Sequence, residues 1–343
     1  MKQNIDIGKL DQLPRVKIGH LPTPMERLER ISDQFEAKLL LVKRDDCTGV
    51  GLGGNKVRQL EFHFGLARSQ GADIVLVTGA TQSNYVRTTA AFAAKLGMKC
   101  HVQLEDRVPG VGELYKTNGN VFLDRLFGAT ISTYDEGEDE HGADRRLRQI
   151  AKNYEEEGHR SYIVPLAPGN PPVSALGYVN AAREILAQRD AEEIVLDEIV
   201  VASGSGETHA GILYGLRALG AEIPVTGICV RRTADLQLER VRKKVLDLNE
   251  LTGLSIKLDD HDIQLIDRYL SPGYGLINDH VIEAMKLGGH LEGLILDPTY
   301  TAKTFAGFIE RVKDVGRNKS LMFIHTGGTP AVFAYQDQIQ PRL

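Results

Sequence analysis

Beyond Lys38 the chain alternates two patterns. Short apolar runs bounded by small polar residues give way to longer stretches in which apolar residues recur every three or four positions. The run "KLLLVKRDD" (38–46) reads as a buried strand, and after a glycine-rich loop "NKVRQLEFHFGLARSQG" (55–71) reads as a helix stopped by Gly71. "ADIVLVTGA" and "SNYVRTTAAFAAKLG" repeat the strand–loop–helix unit, and "KCHVQLE" adds a third strand. Farther along come "EEIVLDEIVVAS" with "ETHAGILYGLRALG", then "KSLMFIHTGG" with a short helix after it. Such alternation predicts an α/β fold of mostly parallel sheets flanked by helices. It comes in two blocks, without internal repeats. Near the end of the first block lies "YDEGEDEHG" (134–142), read as a solvated loop because like charges in a row repel. Its spacing matches no calcium loop.

Composition narrows this picture only a little. The 343 residues are enough for two lobes, and 42% apolar with 25% charged residues is the profile of a globular protein. A net charge of −5 argues against nucleic acid or an anionic membrane as partner. No apolar stretch is long enough to span a bilayer, and "MKQNIDIGKLDQLPR" lacks the apolar core of a signal peptide, so a cytosolic protein is expected. Cys47, Cys100 and Cys229 are odd in number and far apart, which suits reduced thiols. Cys47, beside the glycine run, is read as a small packed residue rather than a reactive thiol.

Four loops rich in small polar residues follow strands: Gly49 to Lys56, Thr78 to Asn84, Ser203 to Thr208, and Thr326 to Thr329. Ligands of parallel sheets collect at such ends, so the four are expected to face one cleft. In the first loop Gly49, Gly51 and Gly54 satisfy the dinucleotide pattern G-x-G-x-x-G. The next strand, however, ends Thr78-Gly79-Ala80-Thr81 with no acid for a ribose. A phosphate P-loop fails too, because Asn55 precedes Lys56 and Val57 follows it. What survives is a lysine on a glycine loop, or a plain surface turn with Lys56 solvated. The loop Ser203-Gly204-Ser205-Gly206-Glu207-Thr208 lies between an apolar strand and a helix. Converging N–H groups, a helix N-terminus and hydroxyls make a phosphate cup that needs no arginine. A phosphate cup in one block and a loop-borne lysine in the other suggest pyridoxal 5'-phosphate, its phosphate in the cup and its aldehyde on Lys56.

The motifs "KRDDCTG", "GGNKVRQLEF", "GATQSNYVRTTAAFAAKLGM", "ALGYVN", "VASGS", "PGYGL", "LDPTY" and "HTGG" occur in that order between about Pro22 and Tyr335. In these residues the chain resembles the fold-type II pyridoxal-phosphate enzymes of the tryptophan-synthase β class. Within that class it is similar to the branch of D-cysteine desulfhydrase, L-cysteate sulfo-lyase and 1-aminocyclopropane-1-carboxylate (ACC) deaminase. The resemblance implies a larger cofactor-binding domain of residues 1–56 with 166–343, a smaller one of 57–165, an active site in the cleft between them, and a homodimer.

Residue by residue, the resemblance implies that Lys56 holds the cofactor and acts as base at the substrate's Cα. Ser83 and Asn84, with Gln82 and Tyr85 beside them, correspond to the substrate-carboxylate site, and Asn84 also to the contact with the cofactor's ring oxygen. Ser83 and Asn84 open a helix, whose free N–H groups suit a carboxylate; Ser83 is equally readable as a plain N-cap. Tyr274 and Tyr300 match two active-site tyrosines; each alone reads as a packed aromatic. Ser203, Gly204, Ser205, Gly206, Glu207 and Thr208 would take the phosphate, and Thr326 would face the pyridine nitrogen. The deaminases carry Glu where this chain has Thr301. A neutral partner for that nitrogen makes a weaker electron sink, which favours β-elimination of a good leaving group over ring opening.

The expected activity is therefore that of a lyase on a small amino acid, D-cysteine first, giving pyruvate, ammonia and sulfide. L-Cysteate sulfo-lyase stands second, then ACC deaminase, then a racemase on the same scaffold with Ser83 as the second acid/base. A relative that binds without catalysis is disfavoured by Lys56 and both tyrosines. Three positions depart from the branch. Tyr85 replaces its usual histidine, "LAPGNPPVSALGY" replaces a Gly-Gly-Ser stretch, and Glu207 replaces glycine. Arg87, one turn beyond Asn84, is a candidate for a sulfonate.

Overall fold

The computed structural model describes residues 7–166 and 169–343; Ala167 and Pro168 of the departing segment, and the first six residues of the N-terminal stretch, lie outside them. Among the described residues ten strands form two sheets. The larger has the order β1-β2-β10-β7-β8-β9, from Met25–Arg27, Leu39–Lys43, Ser320–Ile324, Glu198–Ser203, Val225–Cys229 and Ile263–Ile266. Only β1 runs antiparallel. The smaller is wholly parallel with the order β5-β4-β3-β6, from Thr130–Tyr134, Lys99–Glu105, Ile74–Ala80 and Ser161–Val164.

Helices cover both faces, so the central strands are apolar over most of their length and the two-residue period chooses the face. In β10, Met322 and Ile324 join one core while Leu321 and Phe323 join the other. Ile74 and Leu76 of β3 likewise face away from Val75 and Val77.

The helix Asn55–Ser69 is central. Val57, Leu60, Phe64 and Ala67 pack into the smaller sheet's core, and Phe62 into the larger one's. A helix buried on most sides needs internal partners for its polar residues. Arg58 finds them in Asp45 and Glu184, both at 2.8 Å, and Glu61 accepts from Arg15 and the Ile18 and Gly19 N–H groups.

Candidate active site

The glycine run before Lys56 serves close backbone packing. Gly54 N–H donates to Asp45 O at 3.0 Å, and Asn55 N–H to Thr326 O at 2.9 Å. A Cβ on Gly53, at φ +64°, would meet Asp46 O at 2.0 Å. No side chain fits there, and the loop delivers Lys56 to the helix's first turn beside the end of β10.

Lys56 lines a cleft of about 1070 Å³, counting the part open to solvent. All four loops contribute to it: Asn55 and Lys56; Gly79, Ala80, Ser83 and Asn84; Gly204 to Thr208; Thr326 and Gly327. Tyr85, Tyr274 and Tyr300 line it as well. Desolvation pulls the Lys56 amine down to about 8, against the attraction of the Glu207 carboxylate. Its Nζ lies 5.4 Å from the centroid of the Tyr85 ring. Tyr274 and Tyr300 touch through their hydroxyls at 2.6 Å, and burial raises the Tyr300 phenol well above its ordinary value.

Ser83 is the N-cap of the helix Asn84–Leu96, its Oγ accepting from Val86 N–H at 3.3 Å. The remaining N–H groups of that first turn have no helical acceptor and suit an anion. Gly79 packs closely here: a Cβ would stand 2.8 Å from Ser83 Oγ and 3.0 Å from Val86 Cγ2, so the cap could not keep its position.

On the opposite side Gly206, at φ +88°, opens the helix Glu207–Ala218. Arg232 donates to Gly204 O at 3.2 Å and Arg240 to Ser205 O at 3.0 Å, so both carbonyls turn toward the arginines. Thr208 Oγ1 accepts from Asn55 and Gln59, both at 3.0 Å, which leaves its own O–H as a donor. The nest thus uses arginines, though on its carbonyls.

Four side chains turn out elsewhere than foreseen, and the acidic run differs from its expectation as well. Ser203 is fully buried, bonded to His209 at 3.2 Å and Gln237 at 2.9 Å, and does not line the cleft. Gln82 is also outside the lining: it donates to Tyr115 O and Asn118 O and accepts from Asn120 N–H. Arg87 points its guanidinium at the carbonyls of Gly51 and Gly53 and at Asn84 and Asn120, not into the cleft. Cys47 is exposed rather than packed, and partial burial with the Asp46 carboxylate holds its thiol above the ordinary value. The acidic run is not simply solvated, because Glu140 lines the cleft and pairs with Arg231, with Arg232 at 3.0 Å and with Arg240 at 3.4 Å.

Arg107, Arg231, Arg240 and Lys244 therefore line the cleft without having been foreseen. With Lys56 they outnumber its acids, Glu140, Glu207 and Asp297. Asp297 is engaged by the Thr299, Tyr300 and Thr301 N–H groups and the Thr301 hydroxyl. A desolvated amine, a nest of donors and a surplus of cations fit an aldehyde carrying a phosphate dianion.

Residues 16–327 match the pyridoxal-phosphate dependent enzyme family. D-Cysteine desulfhydrase from Salmonella typhi is 42% identical over 334 residues, covering 96% of this chain and 98% of that protein. The protein of that name from Salmonella choleraesuis (strain SC-B67) is 41% identical over 333 residues, with the same coverage. Among solved structures, an ACC deaminase homologue superposes with a TM-score of 0.87 at 36% identity, covering 98% of both chains. A fungal L-serine ammonia-lyase from Rhizomucor miehei shares the fold, with a TM-score of 0.66 at 14% identity over 95% of this chain and 99% of that one. With this match over nearly its whole length, the chain belongs to the fold-type II pyridoxal-phosphate-dependent enzymes, in the family of D-cysteine desulfhydrase and ACC deaminase.

Proposed function

We propose that the enzyme eliminates the β-substituent of a small amino acid, D-cysteine by preference, releasing pyruvate, ammonia and sulfide. The observation that carries this reading is the Lys56 amine, drawn down to about 8, in one cleft with the nest 204–208 and the 2.6 Å Tyr274–Tyr300 hydroxyl pair. When bound, pyridoxal phosphate supplies an electron sink conjugated to the substrate's Cα. Lys56 would hold it and then take the Cα proton at Nζ. The nest and the Thr208 hydroxyl would bind its phosphate, with Asn84 and Thr326 at its ring. Ser83 and the N–H groups opening its helix would hold the substrate carboxylate. Tyr274 and Tyr300 are paired hydroxyls that can pass a proton to the departing sulfur.

One feature favours a thiol over the sulfonate of L-cysteate: Arg87 is turned away, its guanidinium bonded to the carbonyls of Gly51 and Gly53. Thr301, fully buried and bonded to Asp297 at 2.7 Å, offers no carboxylate of the deaminase kind. Incubation with D-cysteine, L-cysteine, L-cysteate and ACC tests the reading. Pyruvate with sulfide from D-cysteine supports it; sulfite from L-cysteate, or 2-oxobutanoate from ACC, as the dominant product replaces it.

Residues 57–165 would close against 1–56 with 166–343. A homodimer fits the exposed apolar side chains Phe122, Leu126 and Phe333 on neighbouring short helices. Cys47, Cys100 and Cys229 are free thiols, as a reducing cytosol would keep them, and among the described residues no helix is long and apolar enough to cross a membrane.

A further inference from the structure

Two of the departures noted in the sequence meet in space. The Tyr85 hydroxyl lies 2.8 Å from Ser174 Oγ, and Ser174 comes from the segment "PPVSALGY". Ser174 Oγ lies 3.0 Å from His63 Nε2, and His63 Nδ1 lies 2.9 Å from the Tyr162 hydroxyl. The ends of this chain open on different spaces. Tyr85 and Ser174 line the active-site cleft, whereas Tyr162 lines a surface groove with Gln70, Lys152 and Glu155. We propose that Tyr85, Ser174, His63 and Tyr162 form a relay that carries protons between the filled cleft and solvent. This rests on Lys56 acting as the base, and it goes beyond that reading by naming where the proton goes.

The chemistry of the links suits such a role. Each hydroxyl donates one hydrogen and accepts at its oxygen, and a neutral imidazole donates at one nitrogen while accepting at the other. A cationic imidazole would donate at both ends and block transfer. Burial, together with the positive charge of Lys244, pulls His63 down to about 3, so it stays neutral. For outward transfer, the Tyr85 oxygen takes a proton from the cleft as its own O–H proton passes to Ser174 Oγ. The Ser174 proton passes to His63 Nε2, the Nδ1 proton to the Tyr162 oxygen, and the Tyr162 O–H proton to water. Every member gains and loses one proton, so no buried charge is left behind.

D-Alanine, which has a Cα proton and no leaving group, tests this with the cofactor-loaded protein. In D2O, proton NMR reads deuterium entering Cα, and the shift of the cofactor's absorbance reads D-alanine binding. S174A and H63L should each slow deuterium entry at least tenfold with binding held within twofold. The S174A/H63L double variant should be no slower than the slower single, because both break one chain. Deuterium entry within twofold of the parent in both single variants overturns the relay, as does a double variant whose loss is the product of the two. A parent that binds D-alanine yet exchanges nothing refutes Lys56 as base together with the relay. A parent that forms no coloured complex with the cofactor refutes the functional reading itself.

Discussion

Lys244 Nζ stands 2.5 Å from Glu207 Oε1, and the second oxygen of that carboxylate is buried without a hydrogen-bond partner among the described residues. A carboxylate at the mouth of a phosphate nest would repel the ligand, and Lys244, 7% exposed, compensates it. K244M should therefore weaken cofactor binding at least tenfold, about 1.4 kcal/mol, and E207G/K244M should recover most of the loss. Absorbance titration of the cofactor-free protein measures both. Unchanged affinity in K244M would show that the pair has no part in phosphate binding.

Attachment of the cofactor needs the neutral Lys56 amine. Because desolvation brings it from 10.5 to about 8, the rate of colour development should rise with pH and level off above about 8. The Glu207 carboxylate acts in the opposite sense, so E207Q should move the midpoint to lower pH. A stopped-flow pH series reads this, and a midpoint near the ordinary lysine value would contradict it.

Glu140 supplies a stability term with a defined pH window. Burial opposes its ionisation, yet Arg231, Arg240 and Arg232 outweigh burial and hold it at about 2 against an ordinary 4.5. A depressed carboxylate contributes fully above its unfolded value and loses that contribution as pH falls through the folded one. The Tm gap between the parent and E140Q should be constant down to about pH 5 and shrink toward pH 2. A gap undiminished at pH 3 would refute the arginine cage.

The loop carrying Lys56 is anchored at Asp45, whose carboxylate takes Arg58 at 2.8 Å and the Tyr178 hydroxyl at 2.5 Å. Removing one partner of a buried pair leaves an uncompensated charge. D45N should cost about 3–5 kcal/mol in urea unfolding at neutral pH. A loss under about 1 kcal/mol would mean that Glu184 alone suffices for Arg58.

The sequence displays those parts of the architecture whose causes are local. Strands β2, β3, β7 and β10 are apolar over most of their length because helices cover both their faces, and the helix starts are marked by the cap side chain of Ser83 and the left-handed backbone of Gly206. The loops that meet at the cleft are legible from small residues at strand ends. Side-chain direction in and just beyond those loops is not, which is why Gln82, Ser203 and the helix residue Arg87 turn out to face neighbouring backbone or the core. Charge compensation is hidden for a different reason. Glu140 and Arg240 are 100 residues apart, so repulsion within "YDEGEDEHG" is visible in the sequence while the arginines that absorb it are not. The bond from Tyr85 to Ser174 spans 89 residues, and no local pattern signals it.

Borohydride reduction of the cofactor-loaded protein, followed by peptide mass mapping, tests the central claim most directly. The pyridoxyl label is expected on the peptide containing Lys56 and nowhere else. A label on another lysine, or a coloured K56A protein that still forms product at the parent's rate, would contradict the account.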